Sequence, residues 1–115
     1  MLNAEKNTFD RLLQILKKHL ATKKVTSTAL FGSVSKGEER DDSDIDLLII
    51  SDDFDNANLV ISTAADEVLQ VFHSKISPII FTRKEFVSKK DGDLVQSIIA
   101  NYTMVHGKDL MSIIK

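Results

Sequence analysis

The spacing of apolar residues changes along the chain and predicts alternating helices and strands. From residue 4 to residue 21 they recur every three or four positions, which is the period of an amphipathic helix. That apolar stripe consists of Phe9, Leu12, Leu13, Leu16 and Leu20. Residues 25–31 are β-branched and aromatic and predict a first strand. Residues 45–51 form a continuous apolar run, which predicts a strand covered on both faces at its far end.

The second half of the chain continues this alternation. A long helix is predicted over 58–73, with Asp55 or Asn56 as its N-cap. Its buried stripe is expected to be Ile61, Ala65, Val68 and Phe72. A strand follows over 76–82, and Pro78 indicates that it lies at an edge or turns its donor side outward. Shorter helical segments are predicted at 34–39, 83–89, 93–102 and 108–114, with a short extended piece at 104–106. Three strands with intervening helices predict an α/β (α+β) fold, a small mixed sheet with flanking helices.

Composition narrows the class of protein. The chain has 115 residues, which predicts one domain over 1–115, and it has no cysteine, which removes disulfides and thiolate metal sites. No apolar stretch approaches the roughly 20 residues of a membrane span, and no signal peptide is visible, so a cytoplasmic protein is expected. The net charge of −2 argues against a long nucleic-acid substrate but allows a small anionic ligand.

One motif carries candidate chemistry. Gly32 and Ser33 end the first strand, ten residues follow, and Asp44 and Asp46 begin the next strand. Two carboxylates spaced two apart on a strand point to the same face and repel unless a cation joins them. Mg²⁺ takes one or two carboxylates together with substrate phosphates. Gly32 lets a phosphate approach the backbone, Ser33 offers a hydroxyl, and the turn that follows offers free N–H groups.

Each half of this motif alone is more often a turn or a cap, with roughly a one-in-ten chance of being a site. The joint spacing is expected by chance in roughly one chain in a thousand of this length. Lys36 and Arg40 follow the turn, where they either contact a triphosphate or are solvated loop charges.

The run from Leu30 to Ile50 resembles the signature of the polymerase-beta-like nucleotidyltransferase superfamily. The short chain is similar to its minimal nucleotidyltransferase (MNT) members, which pair with a helical HEPN partner in toxin–antitoxin systems or with a helical substrate-binding subunit. The resemblance covers roughly residues 5–90. It implies nucleotide binding by Gly32, Ser33 and Lys36, and Mg²⁺ binding and catalysis by Asp44 and Asp46. The implied reaction is transfer of a nucleotidyl group, most often AMP from ATP.

The same resemblance implies a third carboxylate on a later strand, where this chain has Ser77. Serine is a poor magnesium ligand and cannot act as a general base with a useful pKa. Asp91 and Asp93 lie downstream, beside Gly92 in a turn, and are less suited to the role.

Three functions therefore remain open. The first is an enzyme that moves AMP to a hydroxyl of a partner protein or small molecule. The second, motivated by Ser77, is a weakly active or inactive binding module that acts as an antitoxin by docking on a helical partner. The third is the catalytic subunit of a two-chain transferase. An apolar surplus over 93–114 is expected to be either core or a subunit interface.

Overall fold

The computed structural model describes residues 4–32 and 44–114. The predicted helix over 34–39 lies outside these residues. The described elements are α1 (Ala4–Leu20), β1 (Ser27–Phe31), β2 (Ile45–Ile50), α2 (Phe54–Phe72), β3 (Ile76–Phe81), α3 (Arg83–Ser88), α4 (Asp93–Ala100), β4 (Tyr102–Gly107) and α5 (Leu110–Ile114). Among them, no helix is both long enough and apolar enough to cross a membrane.

The strands form one mixed sheet in the order β3-β2-β1-β4. β1 is antiparallel to both of its neighbours, and β2 and β3 are parallel. A mixed sheet with flanking helices was the predicted fold class, and it is confirmed. The prediction of three strands is wrong, because Tyr102 to Gly107 pair with β1 as a fourth strand. The predicted helix over 93–102 ends instead at Ala100, where Asn101 adopts an extended conformation.

Each face of the sheet supports its own apolar core, and β2 contributes to both. Leu47 and Ile49 join the core formed with α1 and α2. Leu48 and Ile50 join a second core with α3, α4 and α5. These four side chains are fully buried, so the predicted covering of this strand on both faces is confirmed. The residues over 93–114 supply this second core, with Ile98, Leu110 and Ile113 buried there.

β3 is an edge strand, as Pro78 predicted. The amide of Ile45 donates to the carbonyl of Lys75 at 2.8 Å, and that of Ser51 donates to the carbonyl of Phe81 at 2.9 Å. Backbone groups of a parallel strand alternate in direction along the ladder. Odd-numbered residues of β3 therefore bond to β2, and the even-numbered positions, including Pro78, face the open edge. The missing N–H of proline costs no hydrogen bond there.

α2 begins four residues earlier than predicted. Its N-cap is Asp53, whose side chain accepts a hydrogen bond from the amide of Asn56 at 2.9 Å. Asp55 and Asn56 lie within the helix, so the predicted cap is wrong. The buried residues of α2 are Ala57, Ile61, Ala64 and Val68. The predicted members Ala65 and Phe72 are half-buried at the margin of this stripe.

Candidate functional site

Gly32 ends β1 in a conformation that favours glycine. Its φ is +75°, and a Cβ built there would lie 2.6 Å from an Oδ2 atom of Asp46. A side chain at this position would therefore need both a strained backbone and a displaced carboxylate. From the sequence alone, Gly32 is expected beside Asp46 only if β1 and β2 are neighbouring strands. The antiparallel pairing of Phe31 with Asp46 makes them neighbours and brings Gly32 beside Asp46.

Asp44 and Asp46 lie at the start of β2. Asp46 is half-buried and Asp44 is exposed. Side chains two apart on a strand share a face, and here it is the face of Leu48 and Ile50, which packs against α3–α5. The pKa of Asp46 is raised, first by burial and then by the negative charge of Asp44. The repulsion between the two carboxylates would fall if a cation bound between them.

The four strands place four side chains in one row across this face of the sheet. Asp46 pairs with Ser77 of β3 on one side and with Phe31 of β1 on the other, and Phe31 pairs with Tyr102 of β4. Ser77 is thus the direct neighbour of Asp46. A carboxylate at that position would lie beside Asp46.

Two predicted site residues, Ser33 and Lys36, lie outside the described residues, as does Arg40. Within residues 4–32 and 44–114, no three His, Asp or Glu side chains are grouped so as to hold a metal ion. Asp91 and Asp93 therefore do not join Asp44 and Asp46 in such a group. The described acidic part of the site consists of these two aspartates.

The donor set nevertheless fits a divalent cation of the Mg²⁺ type. One half-buried and one exposed carboxylate share a strand face, and one of them abuts the backbone of Gly32. Mg²⁺ uses one or two carboxylates and completes its coordination with water and phosphate oxygens. Asp44 and Asp46 would hold the ion, and the absence of a side chain on Gly32 leaves room there for the Asp46 carboxylate.

Tyr102 closes the row at the β4 end and was not predicted as part of it. Its hydroxyl hydrogen-bonds to both carboxylate oxygens of Asp109, at 3.0 and 2.9 Å. Asp109 also accepts a hydrogen bond from the amide of Met111 at the start of α5. Burial, followed by the bond to Asp109, raises the pKa of Tyr102. Assigning residue 102 to a strand next to β1 would have revealed this placement.

A separate open pocket of about 500 Å³ lies at the opposite ends of β2 and β3. It is lined by Asp52, Arg83, Lys84, Val87 and Ser88. The carboxylate of Asp52 accepts a hydrogen bond from the amide of Arg83 at 3.2 Å. Because Asp44 and Asp46 begin β2 and Asp52 follows its end, this pocket is not part of the candidate site.

Comparison with solved structures identifies similar folds in toxin–antitoxin complexes. A complex with AMP-PNP aligns with a TM-score of 0.58 and 20% identity over 92% of this chain and 80% of the other. A tri-AMPylated Shewanella oneidensis HEPN toxin with its MNT antitoxin aligns with a TM-score of 0.57 and 18% identity, over 96% and 80% of the two chains. An MntA–HpeT toxin–antitoxin mutant with two Asp-to-Glu substitutions aligns with a TM-score of 0.58 and 18% identity, over 98% and 81%. At this identity the likeness concerns the fold.

Sequence comparison gives the family. No curated protein matches the chain significantly. The family model of the nucleotidyltransferase domain matches residues 10–106. The match includes most of α1, the candidate site, β1 to β3 and all but the last residue of β4. The chain therefore belongs to the nucleotidyltransferase domain family.

Proposed function

We propose that this protein binds ATP with Mg²⁺ and transfers AMP to a hydroxyl of a helical partner protein or a small molecule. The observation that carries the proposal is the contact between Gly32 and the Asp46 carboxylate, with Asp44 on the same strand face. In nucleotidyl transfer, the acceptor oxygen bonds to the α-phosphorus, the bond to the bridging oxygen breaks, and pyrophosphate leaves. When bound, Mg²⁺ neutralises charge on the phosphates.

The residues of the chain have separate roles in this proposal. Asp44 and Asp46 hold the metal, and the backbone of Gly32 lets a phosphate lie close to it. Ser33 and Lys36 bind the remaining phosphate oxygens. Ser77 cannot take the acceptor's proton, so the proton passes to water. The proposed transfer is therefore slow compared with an enzyme that has a positioned base.

The direct test is labelled ATP with Mg²⁺ and the partner protein. Transfer of label to the partner is expected from the wild type and is lost in Asp44→Asn and Asp46→Asn. Label that is never transferred, or transfer that survives both substitutions, would falsify the enzymatic proposal.

Ser77 favours a second function, a binding module that acts as an antitoxin by docking on a HEPN-type partner. Toxin–antitoxin complexes among the similar folds support it. In this case Asp44→Asn neutralises the partner as well as the wild type does. If Asp44→Asn abolishes neutralisation, docking alone does not explain the function.

A further alternative is the catalytic subunit of a two-chain transferase whose other chain binds the acceptor. Here the purified chain binds ATP and Mg²⁺ but transfers nothing until the second chain is added. Transfer to a small-molecule acceptor by the isolated chain would contradict this alternative.

The register of β2 and β3 offers a gain-of-function test. Ser77→Asp places a third carboxylate next to Asp46. A positioned general base contributes about 10²–10⁴-fold to a rate, so we expect transfer to rise at least tenfold. The control Ser97→Asp adds the same charge at an exposed position of α4. An unchanged rate in Ser77→Asp would show that position 77 does not face the reacting groups.

A further inference from the structure

Within residues 4–32 and 44–114, one flank of α2 is apolar and only partly covered. α1 packs on the opposite flank, where Glu67 contacts Lys18 and His19. The side of α2 away from α1 lies over β3, the free edge of the sheet. Its residues follow helical spacing: Phe54, Asn58, Ala65, Leu69 and Phe72. Phe54 is 60% exposed and Leu69 is 47% exposed.

The edge of β3 extends this apolar surface. Ile76 and Ile80 are half-buried and pack against the α1–α2 core, on the face that carries α2. Pro78 lies between them on the same face and is exposed. Together with the α2 flank they form what we call the docking strip: Phe54, Asn58, Ala65, Leu69, Phe72, Ile76, Pro78 and Ile80. None of these residues is charged, in a chain of which 28% is charged.

The backbone of the strip selects the kind of element that can cover it. Unprotected sheet edges recruit additional strands. Here Pro78 occupies an outward position of the ladder, so an incoming strand would lose a central hydrogen bond. The ridge of side chains on α2 instead matches the apolar face of another helix.

The charges on α2 distinguish a second copy of this chain from a helix of another protein as the partner. α2 carries Asp55, Asp66 and Glu67 and has no Lys or Arg. Glu67 is paired with Lys18 and His19, whereas Asp55 and Asp66 make no ion pair within the described residues and border the strip on its solvent side. A second copy docked through the same flank would bring acidic border against acidic border. A helix with Lys or Arg beside its apolar face complements the border.

We propose that the docking strip binds an amphipathic helix of the partner protein, with Lys or Arg residues flanking its apolar face. This inference rests on the partner binding in the proposed function but not on nucleotide transfer. It also separates the two proposed activities in space, because the strip lies on the face of the sheet that carries α2, whereas Asp46 points to the opposite face.

The test uses the full chain isolated from its native host in stoichiometric complex with its partner. Leu69→Glu and Phe54→Glu should each reduce partner recovery at least tenfold, since a buried charge at an interface centre is costly. The matched control is Leu59→Glu, on the same helix and 66% exposed but outside the strip. Recovery with Leu59→Glu should stay within twofold of the wild type.

Photo-crosslinking identifies the occupant. A photoreactive phenylalanine analogue at position 69 should crosslink to a helix of the partner that carries Lys or Arg beside its apolar face, and the same analogue at position 59 should not. A crosslink to a strand, or to a helix without basic residues, overturns the proposal. Equal losses in Leu69→Glu and Leu59→Glu, or no loss in either, overturn it as well.

Sedimentation of the isolated chain tests whether the docking strip binds a second copy of this chain instead of the partner. The wild type should be monomeric; a dimer that Leu69→Glu converts to monomer would show that the strip binds another copy and would overturn the proposed partner. Binding of ATP with Mg²⁺ is measured on the same variants and does not depend on docking. Binding that the variants retain shows that they are folded, and binding by the wild type tests the proposed function. Its absence from the wild type would refute nucleotide transfer and leave the docking result unaffected.

Discussion

At the scale of single residues, Gly32 is the point where backbone conformation and candidate chemistry meet. Its positive φ and the closeness of the Asp46 carboxylate both exclude a side chain. The sequence motif predicted a phosphate approaching a bare backbone. The structure adds that the same glycine accommodates the carboxylate of Asp46. That detail depends on strand pairing, which residue types alone do not encode.

We expect Gly32→Ala to lower both stability and nucleotide affinity. The left-handed backbone conformation costs a non-glycine residue about 1–2 kcal/mol, and the new Cβ displaces the Asp46 carboxylate. Urea denaturation measures the first effect, and calorimetric titration with ATP and Mg²⁺ should show at least a tenfold loss of affinity. Gly92→Ala is the control, since Gly92 has a φ of −77° at the start of α4. Comparable losses of affinity in the two variants would contradict this role of Gly32.

Thr28 provides a test of the core that is independent of the site. It is fully buried in β1, and its hydroxyl has no hydrogen-bond partner in the part of the chain that the structure describes. Replacing it with the isosteric valine removes a polar group whose desolvation is not compensated. Thr28→Val should raise the free energy of unfolding by about 1 kcal/mol, measured by urea denaturation. Destabilisation would indicate a partner for the hydroxyl, and Thr28→Ala should destabilise by leaving a cavity.

At the scale of elements, the strongest patterns in the sequence gave reliable predictions. The continuous run over 45–51 and the lone Pro78 placed a central strand and an edge strand. The predictions failed where local signals compete. Three possible caps lie in Asp53-Phe54-Asp55-Asn56, and only the folded chain shows that Asp53 accepts the hydrogen bond from Asn56. An extended piece was predicted at 104–106, but its length and its place in the sheet were missed, because the pairing of β4 with β1 spans most of the chain.

The packing of α1 on α2 has a pH-dependent component. Hydrogen bonds from Lys18 and then from His19 lower the pKa of Glu67 from its ordinary value of 4.5. A carboxyl whose folded pKa is depressed stabilises the fold above its unfolded pKa, and this stabilisation is lost as the pH falls through the folded value. Glu67→Gln should therefore lower Tm at pH 7, and its difference from the wild type should shrink as the pH falls below the ordinary value of 4.5.

The control for this measurement is Asp66→Asn. Asp66 is exposed on the same helix and makes no ion pair in the described part of the chain. Its Tm at pH 7 should stay close to that of the wild type. A difference for Glu67→Gln that persists unchanged at pH 3 would contradict the electrostatic explanation.

At the scale of the whole molecule, the sheet separates the two proposed functions. The candidate site lies at one end of the sheet, on the face covered by α3–α5, and the docking strip lies along the other face beside β3. The fold class followed from the alternation of helical and strand spacing. The docking strip could not be predicted, because it combines residues of α2 and β3 that only the order of strands brings to one edge.

We propose that Gly32, Asp44 and Asp46 form a metal-dependent nucleotide site. The sharpest test is calorimetric titration of the chain with ATP, once in the presence of Mg²⁺ and once with EDTA instead of Mg²⁺. We expect ATP to bind in the presence of Mg²⁺ and not in EDTA. Binding should be weakened at least tenfold in Asp46→Asn, whose side chain remains the same size but carries no charge. Equal affinity in the presence and absence of Mg²⁺, or an unchanged affinity in Asp46→Asn, would contradict it.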